Sequence, residues 1–296
     1  MNKPLLPALG LVLNALVWGL SWWPFRELQA QGLHPLWATA AVFAVAWLGL
    51  MVAYPHAWRH LKTNPELLWL MVASGLTNVG FNWAVTTGDV VRVVLLFYLM
   101  PTWALLLAWW LLKERPTRGA LVRMALALLG VVLVLKTPDT PWPIPQDLPD
   151  VLALLAGMCF ALTNILLLRL QHTPDATRMV AMFGGGALMA VACASLATVT
   201  SIIPAIAMPV THLLQWAPWV LGLSVAFLVS NFALQYGAAR LSAHTTAMLM
   251  MSEVVFASVS SVAAGASVLT WRLGLGGGMI VLAALLASQA HTQPTE

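Results

Sequence analysis

One carboxylate, Glu253, lies well inside an apolar run of this sequence. An ionisable group at bilayer depth costs roughly 3 kcal/mol or more, so it faces protein or water. Thr246 and Ser260 stand one heptad either side of it and would share its helical face. Such a face can meet a substrate ammonium or hold a proton; the plainer alternative is a neutral, hydrogen-bonded packing group. Asn78 and Asn82 are four residues apart, with Thr86 continuing their face, and Ser224, Asn231 and Gln235 repeat the arrangement later in the chain. Asn164 supplies a further amide. Asparagine both donates and accepts hydrogen bonds, which suits a zwitterion. Interhelical bonds, at about 0.6 to 2 kcal/mol each, are the structural alternative.

Tyr98 precedes Pro101 by three residues, and Thr102 sits one turn beyond it. Proline frees a backbone carbonyl, which membrane depth tolerates only against protein or water, so a wet cavity is expected beside this segment. Trp18, Phe81, Trp103, Phe160, Met248 and Met251 bring rings and sulfur to similar depth and could sandwich an aromatic or aliphatic solute, although gap-filling is the commoner role of such residues. Other chemistries are missing. The sequence contains no phosphate-binding glycine loop followed by Lys and Ser/Thr, and no HExxH. Few basic residues stand inside the apolar runs, which argues against a phosphorylated solute. A membrane-embedded enzyme using Glu253 and His244 is the remote alternative. No catalytic residue, cofactor or metal site is expected.

These residues sit in ten apolar runs, at 5–25, 36–54, 67–87, 91–112, 120–135, 151–170, 179–200, 216–236, 243–265 and 273–290. A hydrophobic content of 60% with 8% charged residues lies far outside the soluble range. Each run is about the length that crosses a bilayer as a helix, and none alternates as a barrel strand would. The expected fold is therefore an all-α polytopic membrane protein. The first run continues into Arg26 and Glu27 without a small-residue cleavage site and is read as retained. Cys159 and Cys193 lie inside runs and read as small buried hydrophobes.

A motif at 98–135 has a fainter echo at 250–286, dividing the chain into a five-helix repeat at 1–136, a proline-containing external linker at 137–150, and a second repeat at 151–296. Five is odd, so the second repeat enters the membrane inverted, which is the plan of a secondary transporter around a central cavity. With both termini cytoplasmic, ten Lys/Arg fall inside and four outside (Arg26, Arg92, Lys136, Arg272), as the positive-inside rule favours. Tryptophans near the run ends suit the headgroup level. Glycines 184–186 allow close helix packing or a hinge.

The stretch from Tyr98, with Pro101, the Lys113-Glu114-Arg115 turn, Thr117 and Gly130, and the opening run from Asn14 to Trp22, resemble the EamA-type branch of the drug/metabolite transporter superfamily. Within it the chain looks most like the YddG-type exporters of aromatic amino acids. The resemblance implies ten helices around a cavity and export of aromatic or bulky hydrophobic amino acids across a bacterial inner membrane. It implies a monomer in the lipid bilayer, with no nucleic-acid partner; a broader metabolite or drug exporter is the alternative. The position matching Pro101 in the second repeat is Glu253, so the ninth run is expected to be straighter than the fourth.

Overall fold

The computed structural model describes residues 5–57, 59, 64–113, 116–136, 142, 144–200, 213–241 and 243–290. Lys3, Lys62, Glu114, Arg115 and most of the linker's first half lie outside them, as does the side chain of His244. The described elements are all helical. They are α1 (Leu5–Leu20), α2 (Trp22–Ala30), α3 (Pro35–Ala53), α4 (Glu66–Thr87), α5 (Val90–Phe97), α6 (Met100–Leu112), α7 (Arg118–Leu135), α8 (Leu148–Arg169), α9 (Asp175–Val199), α10 (Leu213–Ala238), α11 (Ala243–Met250), α12 (Ser252–Ala263) and α13 (Trp271–Ala290).

Local chemistry sets several starts. Asp89 accepts from the Arg92 N–H at 2.9 Å, Thr117 from Ala120 at 3.2 Å, and Asp147 from Asp150 at 3.2 Å, each satisfying an orphan donor of a first turn. Pro35 opens α3 and Pro149 the first turn of α8, where a missing N–H is harmless.

The chain is a multi-pass membrane protein. Among the described residues, seven helical segments are long and apolar enough to cross a bilayer, at Leu5–Ala30, Pro35–Ala53, Val90–Trp110, Arg118–Leu135, Leu148–Arg169, Asp175–Val199 and Leu214–Ala238; Met248–Ala263 and Trp271–Leu286 are shorter apolar helices. Their outer faces carry Val52, Trp110, Leu196, Val225 and Val259 exposed, a pattern that suits contact with lipid. α4 is less apolar because it carries Ser74, Thr77, Asn78, Asn82 and Thr86, all buried. Four of them return a hydrogen bond to their own helix: Ser74 to Leu70, Thr77 to Ala73, Asn78 to Ser74 and Thr86 to Asn82.

The packed pairs fall into matched sets. α4 packs on α8, and α1 on α10; α9 packs on α4, and α3 on α10; α5 and α6 pack on α8, while α12 and α11 pack on α1. α3 with α9, and α7 with α13, complete the pattern. At the α7–α13 crossing Gly130 and Gly276 meet backbone to backbone, each facing the other's carbonyl. The triple glycine serves packing as well. α9 runs unbroken through it, with Gly184 against Trp47, Gly185 against the Met71 backbone and Gly186 against the Phe43 ring.

Candidate functional site

The fourth run is broken where its sequence requires. α5 ends at Phe97, Tyr98 and Leu99 form the turn, and α6 resumes at Met100. Pro101 has no N–H to offer the Phe97 carbonyl, and the Leu99 N–H bonds Leu96 at 3.2 Å, one residue short of the helical partner. The freed Phe97 carbonyl lies against α8 at Gly157, where a Cβ would stand 2.7 Å from its oxygen.

The ninth run is broken too, which corrects the expectation that it is straighter. α11 ends at Met250 and α12 begins at Ser252 without any proline. The Val254 N–H bonds the Met251 carbonyl at 3.2 Å, so the Met250 carbonyl loses its ordinary partner. Ser252 Oγ donates to the Leu249 carbonyl at 2.6 Å, a local bond that competes with the helical ladder. The break also separates Thr246 from the helix of Glu253 and Ser260, so the three do not share one continuous face. Ser260 instead accepts from the Trp22 indole at 3.0 Å, and the buried Thr246 hydroxyl has no partner among the described residues.

The two breaks meet. The Tyr98 hydroxyl lies 3.2 Å from the Met250 carbonyl oxygen and 3.0 Å from Glu253 Oε2. Tyr98 and Met250 are 152 residues apart, the same offset that separates the two copies of the sequence motif. Both Tyr98 and Glu253 are buried, and Glu253 sits in the first turn of α12, where a helix favours negative charge. Gly19 of α1 closes over this break, since a Cβ there would stand 2.9 Å from the Glu253 carbonyl oxygen.

A line of rings runs beside the junction. Trp18 stacks on Phe227 at 4.4 Å and meets Phe81 edge-on at 6.2 Å. Phe81 contacts Phe97 at 4.8 Å, and Phe97 contacts Tyr98 at 6.0 Å and Phe160 at 5.4 Å. Trp18, Trp103, Phe160 and Met251 are partly buried against this cluster, and the Trp103 indole N–H has no partner among the described residues. Asn164 and Met248 are exposed.

The asparagines sit elsewhere. Asn82 is fully buried and its amide donates to Thr39 Oγ1 of α3 at 3.3 Å, while its side-chain Oδ1 has no partner among the described residues. Asn78 bonds its own helix, and Asn231 donates to the Phe227 carbonyl at 2.9 Å. Both α4 and α10 pack on α3. Phe97 and Phe227 were missed by the sequence reading, although Phe97 is the residue whose carbonyl Pro101 frees.

The two ends of the site differ. At the end nearest the linker, α5 packs on α12, and the Val91 N–H reaches Ser267 Oγ at 3.4 Å. Arg26 donates to the Thr86 and Gly88 carbonyls at 3.2 and 2.6 Å. Arg92 grips Asp150 with two bonds of 2.7 and 2.6 Å and donates a third to the Val134 carbonyl at 2.9 Å. At the opposite end α6 and α11 form no comparable packed pair, and most of the described side chains of α6 are half-buried or exposed.

Residues 5–136 match the model of the EamA-like transporter family. An uncharacterized transporter of Pseudomonas aeruginosa is 31% identical over 134 residues, which are 43% of this chain and 45% of that protein. The chain thus spans about half the length of the curated relative it matches. A solved crystal structure superposes with a TM-score of 0.58 at 16% identity, covering 97% of this chain and 99% of that one; the likeness is one of fold.

Proposed function

We propose that this chain is an EamA-like carrier of the drug/metabolite transporter superfamily that exports aromatic or bulky hydrophobic amino acids from a bacterial cytoplasm across the inner membrane. The family match over 5–136 supports the carrier class. The matched packing pairs support a ten-span plan in which 1–136 and 151–296 are inverted repeats. The single observation that carries the site is the meeting of two broken helices at Tyr98, Met250 and Glu253, with a ladder of rings alongside. Breaks of this kind belong at membrane depth only where backbone meets protein or a cavity.

Orientation follows from charge. Arg59, Lys113, Arg118, Arg123, Arg169, Arg178 and Arg240 stand toward the opposite end, and Arg26, Arg92, Lys136 and Arg272 toward the linker end, which makes the linker end external. The closed α5–α12 contact then faces outside, and the site opens to the cytoplasm between α6 and α11. A solute entering there meets Trp18, Trp103 and Phe160 before it reaches Tyr98 and Glu253. Rocking of one repeat against the other would transfer the opening to the outer face.

Reconstitution tests the reading. Proteoliposomes loaded with unlabelled phenylalanine should accumulate labelled phenylalanine by exchange. Phe160→Ala should slow phenylalanine exchange about twofold to tenfold more than alanine exchange, the range that one aromatic contact supplies. Exchange of cationic dyes with no exchange of any amino acid would replace this reading with the broader drug exporter.

A further inference from the structure

The hydrogen atoms at the junction of the two breaks can be counted. A tyrosine hydroxyl carries one hydrogen and can also accept; a carboxylate carries none, and a carboxylic acid carries one. Tyr98 Oη stands within hydrogen-bond distance of two acceptors, the Met250 carbonyl oxygen and Glu253 Oε2. With Glu253 ionised, one hydrogen must serve both contacts, and either a buried carbonyl or a buried carboxylate is left short. With a proton on Oε2, the carboxyl donates to Tyr98 Oη, and Tyr98 gives its own hydrogen to the Met250 carbonyl. Both contacts are then complete, and no net charge is buried.

Among the described residues of the helices packed on α12, no full positive charge stands beside Glu253, and the α12 N-terminus supplies only a partial one. α12 packs against α1, α5 and α11. α1 carries no charged residue, and α5 carries only Arg92, bound at its far end to Asp150. On α11 the only titratable residue is His244, two turns before Met250 and with its side chain outside the described residues.

We infer that Tyr98, Met250 and Glu253 form a proton-binding latch: a proton on Glu253 holds α12 against the end of α5 and closes the linker end of the molecule. Loss of that proton leaves one hydrogen for two acceptors, so Tyr98 and Glu253 part and the linker end opens. The latch joins the fourth and ninth runs at the point where each is broken, so it acts where the two halves must part. Its coupling is to conformation, and it rests on the proposed carrier reading only for the direction in which the proton travels. In an exporter that direction exchanges an outside proton for an inside solute.

The test reads distance and contains no solute, so its failure is separate from failure of the amino-acid reading. Thr87 and Ala264 are exposed at the linker end, on the segments leading into α5 and out of α12. Both are replaced by Cys and spin-labelled in the full chain, with C159A and C193A removing the native thiols, and pulsed electron resonance is recorded in lipid nanodiscs between about pH 5 and about pH 9. The long-distance population should grow as pH rises, with the open-to-closed ratio changing by up to about tenfold per pH unit, the limit for one linked proton. Glu253→Gln carries a permanent donor in place of the acid and should hold the short distance at every pH. Tyr98→Phe removes the bridging oxygen and should favour the long distance at every pH. A wild-type distribution that ignores pH, or a Gln variant that titrates as the wild type does, overturns the latch. Should the Gln variant not fold, the Tyr98→Phe series decides alone: a pH response equal to that of the wild type is the overturning result.

Discussion

The breaks at Tyr98–Leu99 and at Met251 occupy matching positions in the two halves, yet they are built differently. The first is covalent in origin, because Pro101 cannot bond Phe97 in any conformation. It is also anchored: the Phe97 carbonyl rests on Gly157 of α8, and Arg92 ties the other end of α5 to Asp150 of the same helix. The second break has no proline. Ser252 bonds back to Leu249, and the Met250 carbonyl depends on a hydroxyl from the other half of the chain. One break is fixed by the backbone, and the other is held by contacts that can be exchanged. For the latch inferred above, this makes α5 and α8 the side expected to stay and α12 the side expected to move.

Removing the anchor should have the largest effect. Asp150 is 1% exposed and accepts two bonds from Arg92 and one from the Gln146 N–H. Asp150→Ala leaves the guanidinium without its partner, a loss of about 3 to 5 kcal/mol for a buried pair. The variant should show severalfold lower membrane abundance and a markedly lower unfolding temperature in detergent. Unchanged abundance and melting would mean that α5 is held chiefly by its apolar neighbours.

The two glycines that cover the breaks separate a fixed side from a moving one. Gly157→Leu drives a side chain into the Phe97 carbonyl and should destabilise by about 1 to 3 kcal/mol, the usual range for overpacking. Gly19→Leu meets the backbone of α12 at a similar distance. Because α12 can shift away, Gly19→Leu should keep more of the wild-type abundance while lowering transport. Comparing abundance with transport for both variants checks this. Equal abundance losses would remove the distinction between the two sides.

The smallest effect concerns His34, which lies outside the spans. Its Nδ1 accepts from the Leu36 N–H at 3.2 Å and caps α3, so the neutral ring carries its proton on Nε2. Burial lowers its pKa from the ordinary value of 6.5. The neutral form is favoured by the fold, so this contribution is present above about 6.5 and is lost as pH falls through the folded value. Melting temperature should drop modestly on acidification, and His34→Asn, which keeps a capping oxygen, should flatten that dependence. A dependence unchanged by the substitution would assign it to another group.

Much of the fold was legible because lipid leaves the chain few choices. Apolar runs of spanning length predict helices, and the helices found at 66–87, 118–135 and 148–169 begin within three residues of the expected positions. Asp89, Thr117 and Asp147 cap helix starts in the structure, local signals that the sequence reading did not use. The fourth-run break was legible at Pro101. The ninth was not, because no proline marks it and the carbonyl it frees meets a hydroxyl from a residue 152 positions away. Pairing of Tyr98 with Glu253, Asn82 with Thr39, and Arg92 with Asp150 was equally hidden.

The sequence by itself determined that the chain spans a membrane in several helices, where one of them must bend, and that Glu253 needs a partner. These follow from the cost of placing polar groups in hydrocarbon, which acts on each segment locally. Only the tertiary structure decided who the partner is, that a second helix bends opposite the first, and which end of the junction is closed. Those depend on contacts between segments far apart in the chain, and a side chain's type constrains how many hydrogen bonds it makes without saying with whom.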